Sequence, residues 1–77
     1  MVRLKQIEIK DRIASAFYYP EDKAESGVIK VNIDTGEVID YSPVEGFSYS
    51  YVYHAARELK RIAANNESRT ESISIWY

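Results

Sequence analysis

The stretch VIKVNIDTGEVIDYS, residues 28–42, indicates most clearly how this chain folds. From Ile29 to Ile33, apolar residues alternate with polar ones, which is typical of a strand with one buried and one solvated face. The sequence Asp34-Thr35-Gly36 then interrupts the alternation. Asp is expected to start a turn through its side chain, and Gly to take the left-handed conformation that a three-residue loop requires. The stretch therefore predicts a β-hairpin.

Two extended runs precede this hairpin. Residues 2–9, VRLKQIEI, change the parity of their apolar positions midway, and a bulge near Lys5–Gln6 would return them to one face. Residues 12–19, RIASAFYY, place larger side chains on one face and smaller ones on the other. The larger ones are Ile13, Phe17 and Tyr19. The sequence leaves open whether the two runs form one bent strand or a hairpin.

After Gly46 the apolar period becomes helical. One face of the predicted helix carries Ser48, Val52, Ala55, Ala56, Leu59, Ile62 and Ala63. Either Ser48 or Ser50 can cap the helix start. We expect the helix to end at Asn65-Asn66, because Asn tolerates the left-handed conformation.

The last run, ESISIWY (71–77), alternates again and predicts a C-terminal strand. One parity carries Ile73, Ile75 and Tyr77, and the other carries Ser72, Ser74 and Trp76. We expect this strand to complete the core. Residues 1–77 thus predict a single α+β domain, in which an antiparallel sheet of four to five strands carries one long helix on one face.

The composition argues against several classes of function. The chain has no cysteine, one histidine and a net charge of −2, so a zinc site is not expected, and a polyanion would need a local basic patch. Asp34, Glu37 and Asp40 lie near the turn but lack the density of acids of a calcium loop. We therefore expect neither metal nor cofactor. The charged N-terminus resembles neither a signal peptide nor a membrane anchor, which favours a soluble cytoplasmic protein without a membrane partner.

The order of several short motifs resembles the KTSC domain, a small module named for the C-termini of lysyl-tRNA synthetases and also found alone in bacterial proteins. The matching positions are Ile13-Ala14-Ser15, Tyr19-Pro20-Glu21, Ile29 to Ile33, Gly36, and Tyr41 to Val44. The resemblance covers roughly residues 11–55. It departs from the family where Ile39-Asp40-Tyr41 replaces a Tyr-x-Tyr, and where AARELKRIAANN follows the helix start. The resemblance implies an α+β fold and RNA binding, the role suggested for the family.

The predicted helix carries aromatic and basic side chains on its outer side. We call this set the outer helix face: Tyr53, His54, Arg57, Lys60 and Arg61. Tyr53 could stack on a base while the cations meet phosphates, which favours RNA or another polyanion as a weak, salt-dependent partner. The alternative is an ordinary solvated face.

Ser50, His54 and Glu58 follow at i, i+4 and i+8, the order of a nucleophile, a base and an acid. A serine within a helix has its neighbouring amides committed to the helix, so it has no oxyanion donors. We therefore expect no catalytic residues and no enzymatic activity.

Tyr18 and Trp76 suggest a second function. Both lie opposite the parity expected for the core, and we expect them at a sheet edge or on an outer sheet surface. Exposed aromatic residues there would favour a protein partner or a homodimer. The alternative for Trp76 is that it folds back over the sheet edge or lies in a frayed terminus.

Overall fold

The computed structural model describes residues 1–76 and contains five strands and one helix. The elements in chain order are β1 (Val2–Lys10), β2 (Ile13–Pro20), β3 (Gly27–Asn32), β4 (Val38–Tyr41), α1 (Tyr49–Ala64) and β5 (Ser72–Ser74). The strands form one antiparallel sheet in the order β4-β3-β2-β1-β5, and α1 packs against one face of it. The α+β fold with a strand near the C-terminus is confirmed.

The first two strands form a hairpin, which settles the alternative left open by the sequence. Asp11 and Arg12 connect them, both with positive φ, at 54° and 66°. The predicted bulge is confirmed, because the β1–β2 register shifts between Lys5 and Glu8 and Gln6 has a φ of 53°. The shift places Val2, Leu4 and Ile7 together in the core.

The β3–β4 hairpin is confirmed, but its loop differs from the prediction. Gly36 is left-handed as expected, with a φ of 79°. The loop is longer than three residues, since the Asn32 amide donates to the Glu37 carbonyl at 2.9 Å. The side chain that organises it is that of Asn32, whose Oδ1 accepts from the Asp34 amide at 2.9 Å. The expectation for Asp34 is therefore wrong, because its carboxylate instead binds the Arg12 guanidinium.

The core lies between the sheet and α1, and small residues dominate its centre. The helix contacts β1, β2 and β3, with β2 the middle strand of the sheet. Ala14 and Ala16 of β2 are buried, as are Ala55 and Ala56 of α1. Short side chains on facing positions let a helix approach a sheet closely, so the small-residue face of β2 is the inner one.

The helix follows the predicted stripe. Its buried residues are Val52, Ala55, Ala56, Leu59 and Ile62. Ser48 occupies the N-cap position, but its hydroxyl shares a 2.7 Å hydrogen bond with that of Ser50 and caps no amide. The C-terminal prediction is confirmed, since Asn65 is the C-cap and Asn66 has a φ of 52°. Within residues 1–76 the structure contains no helix long and apolar enough to span a membrane.

The side chains of the last strand face the opposite way from the prediction: the serine parity, not the isoleucine parity, points toward the core. Ser72 pairs with Leu4 and is buried, whereas Ile73 pairs with Arg3 and is 53% exposed. Ile75 is also exposed, so these isoleucines do not complete the core. The prediction was wrong because Ser72 is held inside by a hydrogen bond to the Glu58 carboxylate of α1. Tyr77 lies outside the described residues.

Candidate nucleic-acid interface

On the outer helix face, Tyr53 and Arg57 are exposed and close together. The Arg57 guanidinium lies 5.8 Å from the centroid of the Tyr53 ring, within range of a cation–π contact. Tyr53 and Arg57 thus form one exposed aromatic and basic pair on the helix.

Of the other two helix cations, Arg61 has carboxylate partners within the protein and Lys60 approaches the β3–β4 loop. Arg61 donates two hydrogen bonds to Glu58, at 2.9 and 2.8 Å, and one to Glu67 at 2.7 Å. These carboxylates raise the pKa of Arg61 above its ordinary value. Lys60 leans toward the β3–β4 loop, where its Cδ would lie 2.9 Å from a Cβ added at Gly36. The basic cluster expected on the helix is therefore divided.

His54 is stacked on an aromatic ring. Its ring stacks on Trp76 with centroids 3.9 Å apart and an interplanar angle of 11°. Burial, followed by the nearby charge of Arg57, holds the pKa of His54 below its ordinary value, which favours the neutral ring at neutral pH. A neutral, stacked imidazole adds no positive charge for a phosphate.

The triad-like spacing does not produce a linked set of side chains. Ser50 bonds to Ser48, His54 stacks on Trp76, and Glu58 accepts hydrogen bonds from Arg61 and Ser72. Each of the three groups thus has a partner elsewhere.

Tyr18 is not on an outer surface, and that prediction is wrong. It is 1% exposed, and its hydroxyl donates to the Ser42 carbonyl at 2.6 Å. The ring fits inside because Gly27 lies opposite it on β3, where an added Cβ would approach a Tyr18 ring carbon to 2.5 Å. Burial also raises the pKa of the Tyr18 hydroxyl. A partner cannot reach this side chain in the folded protein.

Trp76 follows the alternative interpretation. It is half-buried and packs at the rim of the core, where its ring meets that of Tyr51 edge-on at 5.3 Å. It therefore covers the sheet edge beside α1, and only part of its surface remains open to a partner.

The sheet face opposite α1 holds a second set of aromatic and basic side chains. We call it the outer sheet face. The strand registers assign to it Arg3, Lys5, Glu8, Lys10, Ile13, Ser15, Phe17, Tyr19, Val28, Lys30, Asn32, Asp40 and Ile73. Four of these are cations and two are acids, so this face is basic on a protein whose net charge is −2.

Phe17 lies at the centre of this face. It is 37% exposed, pairs with Lys5 on β1 and with Val28 on β3, and offers an aromatic surface between a cation and an apolar neighbour. Half-buried Tyr19 lies beside it on β2. Its ring centroid is 5.7 Å from the Arg3 guanidinium and 5.3 Å from the Lys5 ammonium, so the ring orients two cations next to Phe17.

The sequence contains a signal for this face that our prediction missed. Phe17 and Tyr19 share one parity of β2, and Arg3 and Lys5 share one parity of β1 before the bulge. Only the register of the two strands shows that these parities meet on the same side of the sheet.

The chain shows no match to a protein-family model, to a curated protein or to a solved structure.

Proposed function

We propose that this protein is a small non-enzymatic module that binds single-stranded RNA on its outer sheet face. The observation that carries the proposal is the arrangement at the centre of that face. Phe17 is exposed beside Lys5, and Tyr19 holds the charges of Arg3 and Lys5 next to it. The suggested role of the KTSC family, which the sequence resembles, agrees with this proposal.

The chemistry of the face suits an unpaired strand. An exposed ring stacks on any base, because every base has a π-face, and such stacking contributes about 1–3 kcal/mol per base. In a duplex the bases already stack on one another and are not available to Phe17. Cations beside the ring then meet the phosphates that flank the stacked base.

The outer helix face is the weaker candidate for the same ligand. Its most engaged cation, Arg61, already binds two carboxylates, and a phosphate would have to displace them. Tyr53 and Arg57 alone offer one ring and one charge. We therefore assign this face a secondary role at most.

A second copy of the chain is the competing occupant of the outer sheet face. Ile13, Phe17, Val28 and Ile73 give the face apolar surface that a dimer would bury. A symmetric dimer would, however, bring the four cations of one copy close to the four of the other, and this repulsion disfavours self-association. We propose RNA as the occupant and treat the dimer as an outcome of the test.

The test is an amide NMR titration of the labelled protein with a short mixed-sequence RNA, at low and then at physiological salt. We expect shifts on β1 and β2 around Lys5, Phe17 and Tyr19 that weaken as salt rises. Phe17→Ala should remove them, whereas the matched helix variant Tyr53→Ala should retain them. Shifts confined to α1 would move the site to the helix. Linewidths too broad for 8.9 kDa in the free protein, lost in Phe17→Ala, would replace RNA with a second copy.

A further inference from the structure

A surface pocket opens at the junction of β1 and β5, next to the aromatic centre of the outer sheet face. Its volume is about 510 Å³, within the range of small-ligand pockets. The charged groups that line it are Arg3, Lys5, Arg69 and Glu71. Three cations and one acid thus surround a space of the size that a nucleotide needs.

Arg69 is held so that part of its guanidinium remains unused. Nη1 donates to the Ser72 hydroxyl at 3.1 Å, and Nε lies 3.3 Å from a Glu67 carboxylate oxygen. Neither contact uses Nη2. Glu67 offsets part of the Arg69 charge, as it does for Arg61, but Arg69 has this one carboxylate contact where Arg61 has two. A fixed guanidinium with an unused donor can bind a phosphate oxygen, because little side-chain entropy is lost on binding.

Arg3 also has an unused donor. Its Nη2 donates to the Lys23 carbonyl at 3.3 Å, and its guanidinium lies over the Tyr19 ring. Its Nε is buried and has no hydrogen-bond partner within residues 1–76. Because Nε is buried, an anion would meet Arg3 at its two Nη atoms, and the contact with the Lys23 carbonyl does not use Nη1.

Lys5 connects the pocket to the aromatic centre. It lines the pocket, pairs with Phe17 across the β1–β2 ladder, and lies 5.3 Å from the Tyr19 centroid. An RNA strand whose base stacks on Phe17 therefore passes Lys5 before it reaches Arg69.

We propose that this pocket binds a phosphate group of the same RNA strand whose base stacks on Phe17. The inference rests on the proposed function and adds to it the path of the backbone, from β2 across β1 to β5. Glu71 lies in the same pocket and opposes the anion, so it limits the affinity.

The test uses two variants that each remove one charge and have opposite expected effects. Arg69→Gln should weaken binding of a mixed-sequence RNA hexamer about threefold to tenfold, and should reduce the slope of log K against log salt by about 0.7. Glu71→Gln should strengthen binding about twofold to threefold, because it removes a like charge near the phosphate. Arg57→Gln on the helix is the matched control and should change neither quantity. Fluorescence anisotropy with a labelled hexamer measures the affinity of the wild type and of the three variants for RNA.

The outcomes separate the pocket from the proposed function. If Phe17→Ala abolishes binding while Arg69→Gln and Glu71→Gln leave it unchanged, the pocket is refuted and the RNA-binding function stands. If the wild-type protein binds no RNA at low salt, the proposed function and the pocket's RNA ligand are both refuted. Titration with inorganic phosphate, followed at the Nε–Hε signals of Arg3 and Arg69, then distinguishes a site for free phosphate from no anion site at all.

Discussion

The outer helix face and the outer sheet face carry the same types of residue, and they differ in what those residues contact. On the helix, Arg61 is bound by Glu58 and Glu67. On the sheet, Arg3 and Lys5 lie against the ring of Tyr19. A carboxylate cancels the charge that a phosphate would meet, whereas an aromatic ring positions the charge and leaves it in place.

The comparison also separates two uses of charge in a small domain. Glu67 links Arg61 of α1 to the segment before β5. Glu58 links the helix to β5 itself, because it accepts a hydrogen bond from Ser72. The helix charges thus serve the fold. The cations of the sheet are left to a ligand.

The largest expected effect tests which face of β2 is the inner one. Tyr18→Ala should destabilise the protein by about 3–5 kcal/mol, since it removes a buried ring and its hydrogen bond to Ser42. Phe17→Ala, one residue away, should cost about 1–2 kcal/mol, because Phe17 is 37% exposed and only partly covered by its neighbours. Urea unfolding measures both. Because Tyr18→Ala can unfold a domain of this size, Tyr18→Phe supplies a second measurement, with a loss of about 1 kcal/mol. Equal losses for Tyr18→Ala and Phe17→Ala would contradict the assignment.

The second effect compares the two faces as ligand surfaces. Phe17→Ala should weaken RNA binding by about 1–3 kcal/mol, the range for loss of one stacked base. Tyr53→Ala should weaken it by less than a factor of about two, because Arg57 is its only close cation on the helix. Anisotropy titrations at one fixed salt concentration measure both variants. The ranking of the two faces is reversed if Tyr53→Ala has the larger effect.

The third effect tests whether the helix charges serve the fold. Hydrogen bonds from Arg61, followed by that from Ser72, hold the pKa of Glu58 below its ordinary value. A carboxyl group with a lowered folded-state pKa stabilises the fold above its unfolded pKa, and this stabilisation is lost as pH falls through the folded pKa. Glu58→Gln should therefore cost about 1–2 kcal/mol at pH 7.

The difference between wild type and Glu58→Gln should shrink as pH falls below about 4, near and below the unfolded pKa of Glu. Thermal unfolding over that range measures it. Arg57→Gln is the control, because Arg57 contacts the exposed Tyr53 ring, and it should show no such dependence. A constant difference across the pH range would mean that Glu58 acts through packing and not through its charge.

The smallest effect compares two lysines. Lys5→Gln should reduce the slope of log K against log salt by about 0.7, as expected for loss of one phosphate contact on a single strand. Lys60→Gln should leave the slope unchanged, because Lys60 lies toward the β3–β4 loop. Anisotropy titrations at four salt concentrations determine both slopes. Equal slopes for Lys5→Gln and wild type would remove Lys5 from the interface.

The sequence was sufficient to predict the strands, the helix and the α+β class, because the periodicity of apolar residues depends only on neighbours along the chain. The bulge near Gln6, the hairpin around Gly36 and the buried stripe of α1 all follow from residues close in the chain. The direction in which a strand faces is not local. Large residues on one parity of β2 favour that face as the core, but α1 needs the small face, where Ala14 and Ala16 let it approach.

The sequence predicted the types of residue in the candidate site, aromatic and basic, but placed them on the helix and not on the sheet. The aromatic and basic residues of the outer helix face could be recognised from sequence, because they lie within nine consecutive residues. Phe17 and Lys5 are separated along the chain and meet only through the β1–β2 register. One of the two carboxylates that neutralise Arg61 could not be predicted from helical spacing, because Glu67 lies beyond the end of the helix.

The bulge in β1 bears on how this chain can change over evolution. Gln6 is an extra residue between Leu4-Lys5, which pair with Tyr18 and Phe17, and Glu8, which pairs with Ser15. Removing it would leave an uninterrupted alternation in which each remaining side chain keeps its face and Ile7 can pair with Ala16 of β2. A one-residue deletion usually inverts the rest of a strand. Here it would restore a regular one, so β1 can gain or lose this residue without losing its core.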